Sequence, residues 1–194
     1  MPTCWLSSRD RMRLFLSVLA LLFAASFPVS AADEALSAAA NAGYLASNAK
    51  KPGTILRPSG LQYRVLRNGT GKRPGSNDVV RLAYGIRLIN GTLVDSTTPV
   101  LPSTFAMNSV GLAGLAEALS LMHAGDRWQL AIPSNLAFGG KGAMNGAIPP
   151  DQALLVDVTL ISSEAPRPGA SVSESPFSVW GDGRTNGASL TIRQ

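Results

Sequence analysis

At 194 residues the chain has room for one ordinary domain plus extensions, and an apolar share of 45% is enough to build a core. Its net charge of +5 is too mild and too scattered to argue for nucleic acid, and a single cysteine, Cys4, excludes a disulfide framework. With one histidine and no Cys/His cluster, neither a zinc site nor a histidine-based triad is credible.

Arg9, Arg11 and Arg13 precede an apolar run over 14–27, and the small residues Ser30, Ala31 and Ala32 follow it. This is the pattern of a signal peptide over residues 1–31. Its apolar core falls short of the ~20 residues needed to span a bilayer, so no membrane contact is expected after cleavage. Cys4 lies ahead of that core and is poorly placed for lipoprotein processing. The expected location is periplasmic or secreted. Removing 1–31 leaves 14 basic and 11 acidic residues, a net charge of +3.

Residues 32–56 read as a helical or flexible arm, rich in alanine, with Tyr44 and Leu45 its main apolar points. Such a segment is expected to fray. Pro52 and Gly53 end it. Alternation over 61–66 predicts a half-buried strand, and 79–89 a long one with a bulge or bend near Gly85. Asn90-Gly91 is a hairpin signal, returning the chain as a strand over 92–96. After a proline-containing loop come a short strand over 104–108 and an amphipathic helix over about 112–123, with Gly125 beyond it. His123, at the helix end, reads as a cap or an exposed side chain. Strands over 126–132 and 153–161 follow.

Between those last strands lies a glycine-rich, apolar loop with Gly139, Gly140, Gly142 and Gly146, then Pro149 and Pro150. Phe138, Ala147 and Ile148 make it greasy, and a greasy loop usually closes over something. GGKG at 139–142 is not a phosphate loop: Ala143 follows, and no helix does. Asp95 by itself reads as a turn-capping carboxylate, and Asp157 as an outward-facing strand residue. Residues 163–194 are dominated by serine, glycine, proline and charge and read as a disordered tail. The fold class is α+β: five or so antiparallel strands, strongly twisted, around one short helix.

SGLQY at 59–63, NGTLVDS at 90–96, LAFG at 136–139 and GAIPP at 146–150 with LLVDV at 154–158 occur in this order. Together they resemble the FKBP family of peptidyl-prolyl cis-trans isomerases, especially its exported single-domain bacterial members, over about 57–162. The resemblance implies rotation about X-Pro amides, no cofactor, and proline-containing segments of unfolded or exported proteins as partners. Folding assistance or a chaperone-like role goes with it. It also implies a bowl of apolar side chains with a few polar groups at the rim. Tyr84 matches the family's strand tyrosine and Asp95 its rim carboxylate, the candidate catalytic pair. Ile148 matches an isoleucine whose backbone amide meets the ligand, and Leu112 the isoleucine at the helix head. Four substrate-binding positions depart from the pattern. Val94 and Val156 stand where phenylalanine is usual, Leu115 where tryptophan is, and Phe138 where tyrosine is. The expectation is an isomerase of reduced activity with weak macrolide binding. The alternative is a non-catalytic peptide-binding or chaperone-like module on the same scaffold.

Overall fold

Alternation along strand β3 (Val79–Leu88) organises the structure: Val80, Leu82, Tyr84, Ile86 and Leu88 are all buried, which turns one face of the strand to the core, and on the other face only Ala83 is buried as well. The protein is described by a computed structural model over residues 34–166. The expected signal peptide and most of the expected tail lie outside the described residues.

The other strands are β1 (Ile55–Leu56), β2 (Gln62–Arg67), β4 (Leu93–Ser96), β5 (Ser103–Ala106), β6 (Arg127–Ile132) and β7 (Leu154–Glu164). Helix α1 spans Ala38–Ala49 and helix α2 Ala113–Leu121. The sheet runs β1-β2-β6-β7-β3-β4, with β5 also on β3, and every pairing is antiparallel. It thus has seven strands: β2 to β7 answer to the six strands read from the sequence, and the two-residue β1 is the addition.

Trp128, Leu130 and Ile132 of β6 and Leu154, Val156, Val158 and Leu160 of β7 join the even residues of β3 on the core face. Leu115, Ala118 and Leu119 of α2 cover them. The helix lies close because residue 114 is glycine: a Cβ there would overlap the Ile132 side chain. α2 stops at Leu121, two residues before the expected end, because Met122 adopts an extended backbone and buries its side chain.

The expected irregularity at Gly85 lies elsewhere. Gly85 pairs regularly with Asp157 and with Ser96. On β7 the extra residue is Ile161, skipped between Leu160 opposite Leu82 and Ser162 opposite Arg81. On β4 it is Val94, skipped between Leu93 opposite Arg87 and Asp95 opposite Ile86. β3 keeps its alternation because it carries the core, so its partners absorb the mismatch.

β7 also runs past the expected boundary at 162. The Ser163 hydroxyl donates to Asp78 Oδ2 (2.9 Å), which also accepts from the Gly75 amide (3.0 Å) and from Lys72 Nζ (2.6 Å). Side-chain bonding to a distant loop, invisible in composition, keeps Ser163 and Glu164 in the sheet. These bonds, the Gly75 amide first and Lys72 second, hold the Asp78 carboxyl at about 2, below its ordinary 3.8. A depressed carboxylate stabilises the fold above its unfolded value, and that contribution fades as pH falls from about 4 towards 2. Asp78→Asn should therefore flatten the fall in stability over that interval in denaturant titrations. A fall as steep as the parent's would contradict this.

The arm is docked rather than frayed. Asn41, 5% exposed, donates Nδ2 to Gln152 Oε1 (3.1 Å), and its Oδ1 accepts the Ala153 amide (2.8 Å). Gln152 Nε2 donates to the Leu36 and Pro150 carbonyls. Asn48 donates to Gln62 Oε1, while Gln62 donates to the Leu45 carbonyl. Tyr44 and Asn48 share a crevice with Gln129, Ala131 and Leu155, strand positions that face away from the core. Low apolarity misled the sequence reading because polar groups make the attachment. Asn41→Leu would strand Gln152 and the Ala153 amide. Chemical denaturation should show a loss of about 2 kcal/mol or more; a loss within experimental error would mean that the arm detaches freely.

Candidate functional site

Tyr84 sits at an even position of β3, so its ring enters the core face and only 4% of the residue is exposed. Its hydroxyl donates to Asp95 Oδ2 at 2.7 Å. Burial raises the phenol's pKa well above its ordinary value, and the hydrogen bond to Asp95 and that carboxylate's charge push it further; a hydrogen bond with the Ser103 side chain opposes the rise. The phenol therefore stays protonated at any ordinary pH. The carboxylate is set at this point by the bulge at Val94: with one residue skipped, Asp95 stands opposite Ile86, on the face where Tyr84 lies.

β4 and β5 occupy the same edge of β3, one beyond Tyr84 and one before it. Ser96 lies opposite Gly85, and Ser103 lies opposite Leu82. The connecting loop, residues 97–102, is pinned beside Tyr84. Thr97 donates its amide to the Tyr84 carbonyl (2.8 Å), and Thr97 Oγ1 accepts the Tyr84 amide (3.1 Å). Thr97 and Ser103 escaped the sequence reading. Both are ordinary hydroxyl residues flanking a proline-rich loop, and only the register brings them to the tyrosine.

Leu112 precedes α2, and Leu115 lies in its first turn; both are 0% exposed. The first amides of any helix lack an intrahelical acceptor, and here the N-cap residue, Leu112, supplies no side-chain acceptor for them. Val156 of β7, opposite Ile86 and Leu130, is also 0% exposed. The long loop closes on itself at Ala143 and Ile148. The Ala143 amide donates to the Ile148 carbonyl (2.9 Å), and the Ile148 amide returns to Ala143 O (3.1 Å). The amide that the resemblance would give to a ligand is thus engaged inside the loop. Gly142, at φ +63°, makes this closure possible, since a Cβ there would strike the Ile148 carbonyl.

Tyr84, Leu112, Leu115, Ile148 and Val156 belong to one buried cluster, with Val94 and Phe138 half-buried against it and Asp95 attached through Tyr84. Seven of the eight sequence candidates thus belong to or pack against the hydrophobic core, and the eighth, Asp95, is tied to it by the Tyr84 hydroxyl. Their accessibility is less open than a bowl lined with large rings would suggest. Leu112, Leu115, Ile148 and Val156, the residues that would form its floor, are closed to solvent. Val94, Asp95 and Phe138 form the solvent-facing side. A neutral phenol and a carboxylate above an apolar floor can desolvate a polar group and orient it.

Residues 71–161 match the sequence pattern of the FKBP-type peptidyl-prolyl cis-trans isomerases. A peptidyl-prolyl cis-trans isomerase from Pseudomonas syringae pv. tomato superposes with a TM-score of 0.60 at 32% identity, covering 65% of this chain and 92% of that one. The chain belongs to the FKBP family. FkpA from Escherichia coli aligns with a TM-score of 0.62 at 29% identity, over 82% of this chain and 74% of that one. In sequence, the FKBP-type 22 kDa peptidyl-prolyl cis-trans isomerase of Escherichia coli K12 is 43% identical over 125 residues, 64% of this chain and 60% of that protein. The outer membrane protein MIP of Legionella longbeachae is 42% identical over 120 residues, 61% and 51% respectively. The chain thus spans between half and three-fifths of these two relatives. The FKBP fold accounts for the α+β architecture.

Proposed function

We propose that the chain is a peptidyl-prolyl cis-trans isomerase with reduced activity that assists the folding of exported proteins. The carrying observation is the Tyr84–Asp95 hydrogen bond above the apolar cluster of Leu112, Leu115, Ile148 and Val156. Rotation about an X-Pro amide faces a barrier of about 18–20 kcal/mol because resonance places charge on oxygen and nitrogen. An apolar surface that excludes water disfavours that separation, and binding the twisted amide more tightly than the planar one lowers the barrier. In this reading the proline ring lies against Val94 and Phe138, and Tyr84 and Asp95 orient the amide. A carbonyl oxygen is received by the uncapped amides at the start of α2. No covalent step is needed.

The closed floor supports reduced activity, and it favours a second reading, a peptide-binding module without catalysis. A proline-limited peptide assay separates the two: acceleration of the slow phase at micromolar protein supports the isomerase, and its absence sinks it. Macrolide binding is expected to be weak for the same reason, micromolar by calorimetry, with nanomolar affinity contradicting the closed floor. The basic and apolar N-terminal pattern, together with a relative named as an outer membrane protein, supports export, to the periplasm or beyond.

A further inference from the structure

Val100 is 86% exposed and Leu101 is 72% exposed, the two most exposed large hydrophobic residues among those described. They form the tip of loop 97–102, between Pro99 and Pro102. Scattered apolar residues on a surface need no explanation, but two consecutive ones on a loop fixed to a candidate site do.

The loop is held at both ends. It leaves the sheet opposite Gly85 and re-enters opposite Leu82, so its ends bracket Tyr84 on the edge of β3. At one end Thr97 exchanges two hydrogen bonds with the Tyr84 backbone and lies two residues after Asp95. At the other, Ser103 pairs with Leu82 in the β3–β5 ladder, two residues before Tyr84. Within the loop the Leu101 amide donates to Thr98 Oγ1 at 3.1 Å, and two prolines restrict the backbone further. The tip therefore has little freedom to fold back onto the core.

We propose that Val100 and Leu101 form an apolar platform for residues flanking the prolyl segment in an unfolded polypeptide, so that the protein prefers long apolar substrates to short peptides. The proposal rests on the isomerase reading above. Its occupant follows from continuity: the loop grows directly from the rim formed by Asp95 and Tyr84. A chain crossing that rim passes the loop within a few residues, each advancing about 3.3–3.6 Å. The platform presents no charge, so it selects apolar flanks rather than charged ones. A substrate too short to reach it gains nothing from it.

The test compares the parent protein with a Val100→Ser/Leu101→Ser double variant on two substrates, a short X-Pro peptide and a protein whose refolding is limited by prolyl isomerisation. Both side chains are exposed, so the variant should unfold at the parent's denaturant midpoint. The expected result is unchanged kcat/KM on the peptide and a roughly tenfold lower kcat/KM on the refolding protein, carried by KM. Equal values for parent and variant on the refolding protein would overturn the proposal. So would equal losses on both substrates, since the loop would then act on the site itself. Conversion of a dimer into a monomer by the same changes, seen in sedimentation, would reassign the platform to a second copy and also overturn it. An inactive parent on the peptide would instead remove the isomerase reading, a separate failure.

Discussion

Replacing Asp95 with alanine should lower kcat/KM on a prolyl peptide by about 10–100-fold, the loss expected when a hydrogen bond to a charged group worth about 1.5–3 kcal/mol disappears. It should also cost stability. Tyr84 is 4% exposed, and its hydroxyl would lose its carboxylate acceptor, at about 1–3 kcal/mol for a buried donor left poorly satisfied. Tyr84→Phe provides the contrast. The ring stays, and the half-buried Asp95 can turn to water, so stability should change by less than about 1 kcal/mol while activity still falls. If Tyr84→Phe lost as much stability as Asp95→Ala while keeping full activity, the pair would be structural. The double variant should lose less activity than the two single losses multiplied, because both remove the same hydrogen bond.

The second large effect separates two positions that the sequence treats alike. Val94 and Val156 both stand where the family usually has phenylalanine. Val94 is the bulged residue of β4 and half-buried, at the solvent-facing side. Val94→Phe has room to extend over the rim and should raise kcat/KM about 2–10-fold, in line with about 0.5–1.5 kcal/mol for an aromatic contact. Val156 is 0% exposed between Ile86 and Leu130. Val156→Phe forces a ring into filled space and should destabilise the fold by about 1–3 kcal/mol, with no gain in activity. A fold as stable as the parent's would mean that the floor can open.

The alternation of β3, β6 and β7, the Asn90-Gly91 hairpin and the Pro149-Pro150 corner were legible because local pattern dictates them. Gly91 takes φ +89° in its turn, as the hairpin signal requires. The site candidates could be named from their motifs, and they come together because those motifs sit on neighbouring strands. The rest depended on pairings across long sequence distance. Asn41 and Gln152 are 111 residues apart, and nothing in an alanine-rich segment announces a polar clasp. Ser163 stays in the sheet through Asp78, 85 residues away. The bulges at Val94 and Ile161 were hidden because a register mismatch belongs to two strands together. Burial of Leu115 and Val156 was hidden too, since a motif says which side chain stands at a position and not how tightly neighbours close over it.

A Tyr84–Asp95 rim over an apolar floor should twist a prolyl amide rather than merely hold one. Two-dimensional exchange NMR on an X-Pro peptide tests it most directly, because it sees binding and interconversion in one sample. Cis–trans exchange peaks should appear with substoichiometric protein and fade with Asp95→Ala. Resonance shifts that report binding without exchange would contradict it.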